Sequence, residues 1–399
     1  MNQEGTGFPE STSRLELIGQ LRAQIVDVMP DVETLWRVAA EPPQGWAGRL
    51  ARRMQPTEGP PTFRGHLALE PDQAYNTLRA RFATLGYTPL LRRHGDHDLI
   101  VALPHVFSDG AQAKLPPARW VPNVLLLLLT IVTTTLMGAF MENGELLAGN
   151  PLLLFQRPAL ILTGLPASLT IMGILGIHEL AHYFVARRHG LETTLPYFIP
   201  VPFGFGTMGA IIRIRTPWQN RKALFDVGLA GPLAGLLVAL PLFFVGLMTS
   251  PHQPPIPEGM PLGSPLLLRW MEDAVYAIRG IPEHHEIYVN AMTFAAWFGL
   301  VVTGFNLLPV GQLDGGHVAY AVLGRWAKIL AIVVLGSLLV LGMWAWSGWY
   351  MWAAFIFLSG WQHPAPLNAL APLGRKRIVV GLLAFALIVL LFTPAPFPM

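Results

Sequence analysis

Apolar and polar positions divide this chain unevenly. Beyond residue 120, apolar runs recur near residues 121–140, 159–186, 224–248, 289–308, 327–343, 345–361 and 377–394. A helix needs about 20 mostly apolar residues to cross the hydrocarbon core of a bilayer, so five of these runs read as full spans. The region around Trp344 to Trp361 reads as one broken span or two short ones. Its Trp344, Trp346, Trp349 and Trp352 resemble an interfacial aromatic belt. The pattern predicts a mainly α, polytopic membrane protein with six to seven transmembrane helices and a small α/β N-terminal soluble domain.

Residues 1–118 follow a different rhythm. "MNQEGTGFPESTSR" is polar and acidic, so no signal peptide is expected there. "LELIGQLRAQIVDVM" reads as an amphipathic helix, and a Pro-rich break follows it. "FRGHLAL" reads as a strand. "PDQAYNTLRARFATLG" reads as a helix with Tyr75, Leu78, Phe82 and Leu85 on one face. "YTPLLRR" and "DLIVALP", joined by the turn "HGDH", predict a hairpin. The result is a βαββ module at about 62–104 without a catalytic constellation, expected to interact or regulate. The linker "SDGAQAKLPPARWVP" leads into a membrane domain at 119–399.

Composition strengthens the membrane reading: of 399 residues, 52% are hydrophobic and 13% charged, against about a quarter charged in an average soluble domain. Cysteine is absent, which removes disulfides, thiolate ligands and cysteine nucleophiles. The net charge of +3 is small, and no nucleic-acid partner is expected. The placement of the basic residues is more informative. With a cytoplasmic N-terminus, the inner loops hold Arg187, Arg188, Arg213, Arg215, Arg221, Lys222, Arg325, Lys328, Arg375, Lys376 and Arg377, and the outer loops only Arg157, Arg269 and Arg279. That asymmetry predicts a multi-pass protein of the cell (inner) membrane with its N-terminus in the cytoplasm.

One apolar run is interrupted by "GIHELAHYF", Gly176 to Phe184. On a helix, His178 and His182 lie one turn apart on one face, a spacing that lets two imidazoles hold one zinc ion. Glu179 projects about 100° from His178. There it is poorly placed as a ligand and well placed to reach an activated water. Tolerated polar residues near a helix end are the bland alternative, but an ionisable group within a span costs at least about 2.5 kcal/mol. Zinc needs a third protein ligand. Near membrane depth the candidates are Asp226, Asp314 and His317. Asp226 opens a span, where a carboxylate suits the helix dipole. Asp314 sits in "NLLPVGQLDGGH", where Pro309 ends or kinks the helix and glycines permit tight turns. Such broken backbone at membrane depth must be buried in protein or line a wet cavity, so Asp314 is the expected third ligand.

"HELAH", "NLLPVGQLDGGH" and the intervening "FDVGLAGPLAG" together resemble the site-2 protease family of intramembrane zinc metalloproteases, over roughly residues 159–320. The resemblance implies that His178, His182 and Asp314 bind one zinc ion per chain, that Glu179 is the catalytic base and that Asn306 assists at the oxyanion. It further implies hydrolysis, by a zinc-activated water, of membrane-anchored proteins with a single span, in regulated intramembrane proteolysis. Some members insert a PDZ domain between core spans. The loop from Leu191 to Lys222 is too short for one, so the N-terminal module, with a regulatory partner of its own, is the expected substitute.

Other features keep two readings each. Asn306 is an oxyanion donor or a helix cross-link. "GTMGAIIRIRT" is a strand edge to which unwound substrate adds, or a structural hairpin. Gly231 and Gly235 form a small-xxx-small pattern suited to close helix packing. His284 and His285 read as an exposed loop rather than a second metal site, and His317 stays open. The rival classes are a metal transporter or sensor, a non-catalytic membrane scaffold, and another HExxH peptidase using a downstream glutamate. The later spans carry no further polar ligands, Glu179 is present, and no downstream glutamate lies in a predicted span.

Overall fold

The computed structural model describes residues 11–35, 60–107, 120–256, 261–360, 363 and 365–397. The Pro-rich break and most of the linker expected at 108–122 lie outside them. Two compact units are present.

The first unit contains α1 (Ser11–Ala23), β1 (Glu33–Leu35), β2 (Thr62–Gly65), α2 (Pro71–Thr84), β3 (Thr88–His94) and β4 (His97–Leu103). Its antiparallel sheet has the order β1-β2-β4-β3. β4 buries Asp98, Ile100 and Ala102 in alternation, as a strand with one covered face must. His94 pairs with His97 across a two-residue turn, and Gly95 supplies the positive φ (61°) that such a hairpin needs at its first position. α2 buries Ala74, Tyr75, Leu78 and Phe82; Leu85, expected on the same face, lies just past the helix end and is half-buried. α1 stops at Ala23, and Ile25, Val28 and Met29 enter the core from a turn instead of a longer helix.

Two distant segments complete this unit, residues 217–221 and 365–372. The Leu91 N–H donates to the Leu367 carbonyl at 2.7 Å, and the Ala369 N–H to the Leu91 carbonyl at 3.2 Å. The Leu367 and Asn368 N–H groups donate to the Trp218 and Gln219 carbonyls, both at 2.8 Å. The Arg92 guanidinium holds the carbonyls of Ala365 and Pro366. β3, which would otherwise be an edge, is thereby paired.

The second unit contains α3 (Trp120–Glu142), α4 (Leu165–Arg188), β5 (Tyr197–Pro200), β6 (Thr207–Ile211), α5 (Arg221–Thr249), β7 (His252–Gln253), α6 (Leu266–Arg279), β8 (Glu286–Ile287), α7 (Ala291–Asn306), α8 (Asp314–Leu323), α9 (Ala327–Trp344), α10 (Gly348–Gly360) and α11 (Arg375–Leu391). Among the described residues four helical stretches are long and apolar enough to cross a membrane: Trp120–Glu142, Ala159–Arg188, Arg221–Thr249 and Asp314–Trp344. The run at 289–308, read as a full span, forms a helix of only 16 residues. Asn290 caps its start by accepting from the Thr293 N–H, and the helix ends where the broken "NLLPVG" backbone begins. The run at 327–343 is instead prolonged backward to Asp314.

The tryptophan belt does not form as expected. Trp344 is 84% exposed, whereas Trp349 is fully buried and donates its indole N–H to the Pro394 carbonyl at 2.7 Å. It packs with Phe305 and Phe392 in the core around α5 and α7. β5 and β6 pair as a bulged hairpin, continued by a bridge between Thr193 and Ile214. Asn123 on α3 fastens it by donating to the Leu195 and Pro196 carbonyls, each at 3.0 Å.

Candidate metal centre

His178 and His182 both lie on α4, buried and facing α5 and α8. The face is crowded because α5 presents glycine to it. A Cβ at Gly231 would collide with the His182 imidazole, and one at Gly235 would stand 3.3 Å from His178 Nδ1. Only a helix without side chains there can approach this closely. α8 is drawn in similarly: its first turn carries Gly315, where a Cβ would collide with the Leu307 backbone. Gly311 takes the positive φ of 60° that returns the chain. Asp314, first residue of α8, is thus delivered to the two histidines.

Three atoms converge. His178 Nε2 and His182 Nε2 are 3.0 Å apart, and Asp314 Oδ2 lies 3.2 Å from the first and 3.3 Å from the second. In a tetrahedral site with metal–donor bonds of about 2.0–2.1 Å, adjacent donors stand about 3.3 Å apart, so the triangle matches one face of such a site. The second ring nitrogen of His182, Nδ1, lies 2.8 Å from the Val227 carbonyl. A carbonyl can only accept, so the proton sits on Nδ1 and the neutral ring turns a lone pair at Nε2 toward the triangle. Among the described residues this is the one group of three or more such side chains arranged to hold a metal ion. Glu179, also buried, follows His178 on α4.

Residues 166–341 match peptidase family M50. A probable zinc metalloprotease of Arabidopsis thaliana, the chloroplastic EGY2, is 29% identical to the chain over 370 residues, covering 86% of this chain and 62% of the relative. The chloroplastic EGY1 of Oryza sativa subsp. japonica is 30% identical over 239 residues, 58% of this chain and 41% of that protein. The chain therefore spans less than two thirds of the length of these relatives. The resemblance to the site-2 protease family drawn from the two motifs is borne out.

The other residues expected near the centre fall at measurable positions. Asp226 is not in the triangle. It accepts from His189 Nε2 at 2.9 Å and from Arg377 at 2.7 and 2.8 Å, clamping the start of α5 to the ends of α4 and α11. Asn306 closes α7, and its side chain makes no hydrogen bond among the described residues. His317 stands one turn after Asp314 and meets His363, ring nitrogens 2.7 Å apart. His285 pairs with His252, Nδ1 to Nδ1 at 3.0 Å, remote in sequence from the centre. Burial, and then the neighbouring His284 and His252, hold the His285 pKa below its ordinary value.

Three contributors escaped the sequence reading: the Val227 carbonyl, Gly231 as a surface facing the histidines, and His363. Only Gly231 left a signal, as part of "GLAGPLAG".

Proposed function

We propose that this chain is an intramembrane zinc metalloprotease that hydrolyses peptide bonds of membrane-anchored proteins. The observation that carries the reading is the triangle of His178, His182 and Asp314 beside the buried Glu179, set in long apolar helices. His178, His182 and Asp314 would hold one zinc ion. When bound, zinc supplies Lewis acidity, polarising a carbonyl and acidifying water. Glu179 takes a proton as the nucleophile attacks and returns it to the leaving amine. The uncommitted Asn306 amide is available to the oxyanion. The hairpin of β5 and β6 packs through β6 against α4, the helix that carries Glu179, which supports addition of unwound substrate along that edge.

The finer reading is of a substrate with a single span, a regulatory partner for the N-terminal unit, and six to seven spans in all. The shorter apolar helices Ala291–Asn306 and Gly348–Leu358 support the span count, together with α11. The basic-residue asymmetry supports a cytoplasmic N-terminus and a cell (inner) membrane location. Reporters fused at Gly5 and within residues 191–222 should both read cytoplasmic and one at Pro255 outside; a cytoplasmic signal at Pro255 reverses the orientation.

The deciding experiment compares cleavage of a transmembrane substrate by the native chain and by Glu179→Gln. Loss of a general base lowers the rate by about two to four orders of magnitude, while zinc content stays at one per chain. Cleavage at the native rate removes Glu179 from the mechanism. Altered metal flux across vesicles, without any proteolysis, would install the transporter reading.

A further inference from the structure

The far end of α5 borders a second concave site, unconnected with the metal chemistry. A cavity of about 640 Å³ is bounded by the last turns of α5, by α6, by β8 and by Trp297 of α7. From Gly231, beside the metal triangle, to Leu247, on the cavity wall, is 16 helical positions, roughly 24 Å along the axis. Its volume falls within the roughly 300–1,000 Å³ of small-ligand sites.

The lining is aromatic and acidic. The polar tips of its aromatic residues are already committed to the frame. Tyr276 Oη donates to the His285 carbonyl and accepts from the Ile287 N–H, both at 3.2 Å, and Tyr288 Oη accepts from the Ile256 N–H at 2.6 Å. The Trp297 indole N–H donates to the Gly263 carbonyl at 3.0 Å. What Tyr276 and Tyr288 offer a ligand is therefore carbon surface and ring face, whereas Trp297, 1% exposed and stacked on Phe294, only closes the cavity wall. Charge comes from Glu272 and Glu286, and no lysine or arginine is among the lining residues. Glu272 accepts one hydrogen bond, from Ser264 Oγ at 2.6 Å, and has no other hydrogen bond among the described residues. Burial raises its pKa above the ordinary carboxyl value despite the opposing Ser264 bond, Asp273 adds to the rise, and the charge of Arg269, one turn earlier on α6, opposes it without cancelling it. A cation placed beside it would lower it again. A bare metal ion is a poor match, because no group of three converging ligands occurs here among the described residues.

We propose that this cavity binds a cationic group on an apolar stem, an ammonium or guanidinium held by Glu272 and Glu286 with its stem against the faces of Tyr276 and Tyr288. Carboxylates select the charge and aromatic faces favour both cation and stem. The same chemistry is offered by a lysine or arginine side chain in an extramembrane peptide segment and by a free organic amine. The proposal does not rest on the protease reading.

The test uses the full chain in detergent, carrying Glu179→Gln so that no peptide is cut. Fluorescence anisotropy is read with a labelled peptide of sequence Ala-Leu-Arg-Leu-Ala, blocked at both ends, and with its Gln counterpart. The Arg peptide should bind at least about tenfold more tightly than the Gln peptide, a difference of about 1.4 kcal/mol. Glu272→Gln combined with Glu286→Gln should abolish that difference. Glu286→Gln alone, at an exposed strand position where folding is not at stake, should reduce it severalfold. Agmatine then separates the sources. Direct agmatine binding with displacement of the peptide assigns the site to free amines, and peptide binding that agmatine does not disturb assigns it to a basic protein segment. Equal affinity for the Arg and Gln peptides, or an undiminished preference in the Glu286→Gln chain, overturns the proposal.

Discussion

Two pairs of histidines in this molecule bring ring nitrogens to the same separation, 3.0 Å: His178 with His182, and His252 with His285. The first pair is 5% and 6% exposed, sits on one helix, and is joined by Asp314 at near-equal distance from both rings. The second joins strand β7 to the turn before β8, and no carboxylate closes its triangle among the described residues. Proximity of two imidazoles is therefore common to both, and the third corner divides them. That corner exists because α8 starts at Asp314 after a glycine-mediated return, and because α5 withdraws its side chains at Gly231 and Gly235.

The largest expected contrast is in metal content. Purified protein should carry one zinc per chain, and His178→Ala, His182→Ala or Asp314→Ala should lose most of it. His252→Ala and His285→Ala should retain it, as should Asp226→Ala, whose carboxylate is spent on His189 and Arg377. Elemental analysis after gel filtration reads this directly. Zinc lost equally from Asp314→Ala and Asp226→Ala would erase the distinction.

A smaller effect is expected from Gly231→Ala. The added methyl group must displace the His182 ring from its bond to Val227, and disturbing the groups that orient a metal ligand costs about 10–100-fold in affinity. Competition with a chromogenic chelator measures it. Gly235→Ala, with 3.3 Å available, should cost less, and equal effects would mean that the ring is not in contact with Gly231.

The smallest effect belongs to the second pair. Since the folded-state pKa of His285 lies below 6.5, the unfolded chain takes up protons first as the pH falls. Stability contributed by the neutral ring is thus present above about 6.5 and lost progressively below it. Thermal melts between pH 7.5 and 5 should show a slight decline that His285→Gln removes. An unchanged slope in that variant would assign the decline to other groups.

The three side chains of the candidate centre could be picked out in the sequence because each has a local signature. Two histidines four apart need only a helix to meet, and Asp314 stands after a proline in glycine-rich backbone that apolar surroundings cannot tolerate without a purpose. The long apolar helices were legible for the same reason, but counting letters overstated the run at 289–308, which its Asn290 cap and the broken backbone after Asn306 shorten to 16 residues. Features that depend on a distant partner left no trace. β1 is three residues long and exists by pairing with β2. The Trp349 letter fits a membrane belt equally well, and only its packing against Phe305 and Phe392 makes it core. The backbone carbonyl of Val227 carries no side-chain identity at all.

The pairing of β3 with residues 367–369 also bears on biogenesis. Synthesis runs from the N-terminus, so α1 to β4 emerge early, yet the segment that covers β3 follows Leu91 by more than 270 positions. Contacts of such separation form late and slowly. Until the ribosome has passed residue 372, the first unit presents an unpaired strand edge, the kind of surface that invites aggregation. The first unit is thus a module that only a chain extended to residue 372 can close, and a chain interrupted before residue 365 should be recognised as unfolded by chaperones and proteases.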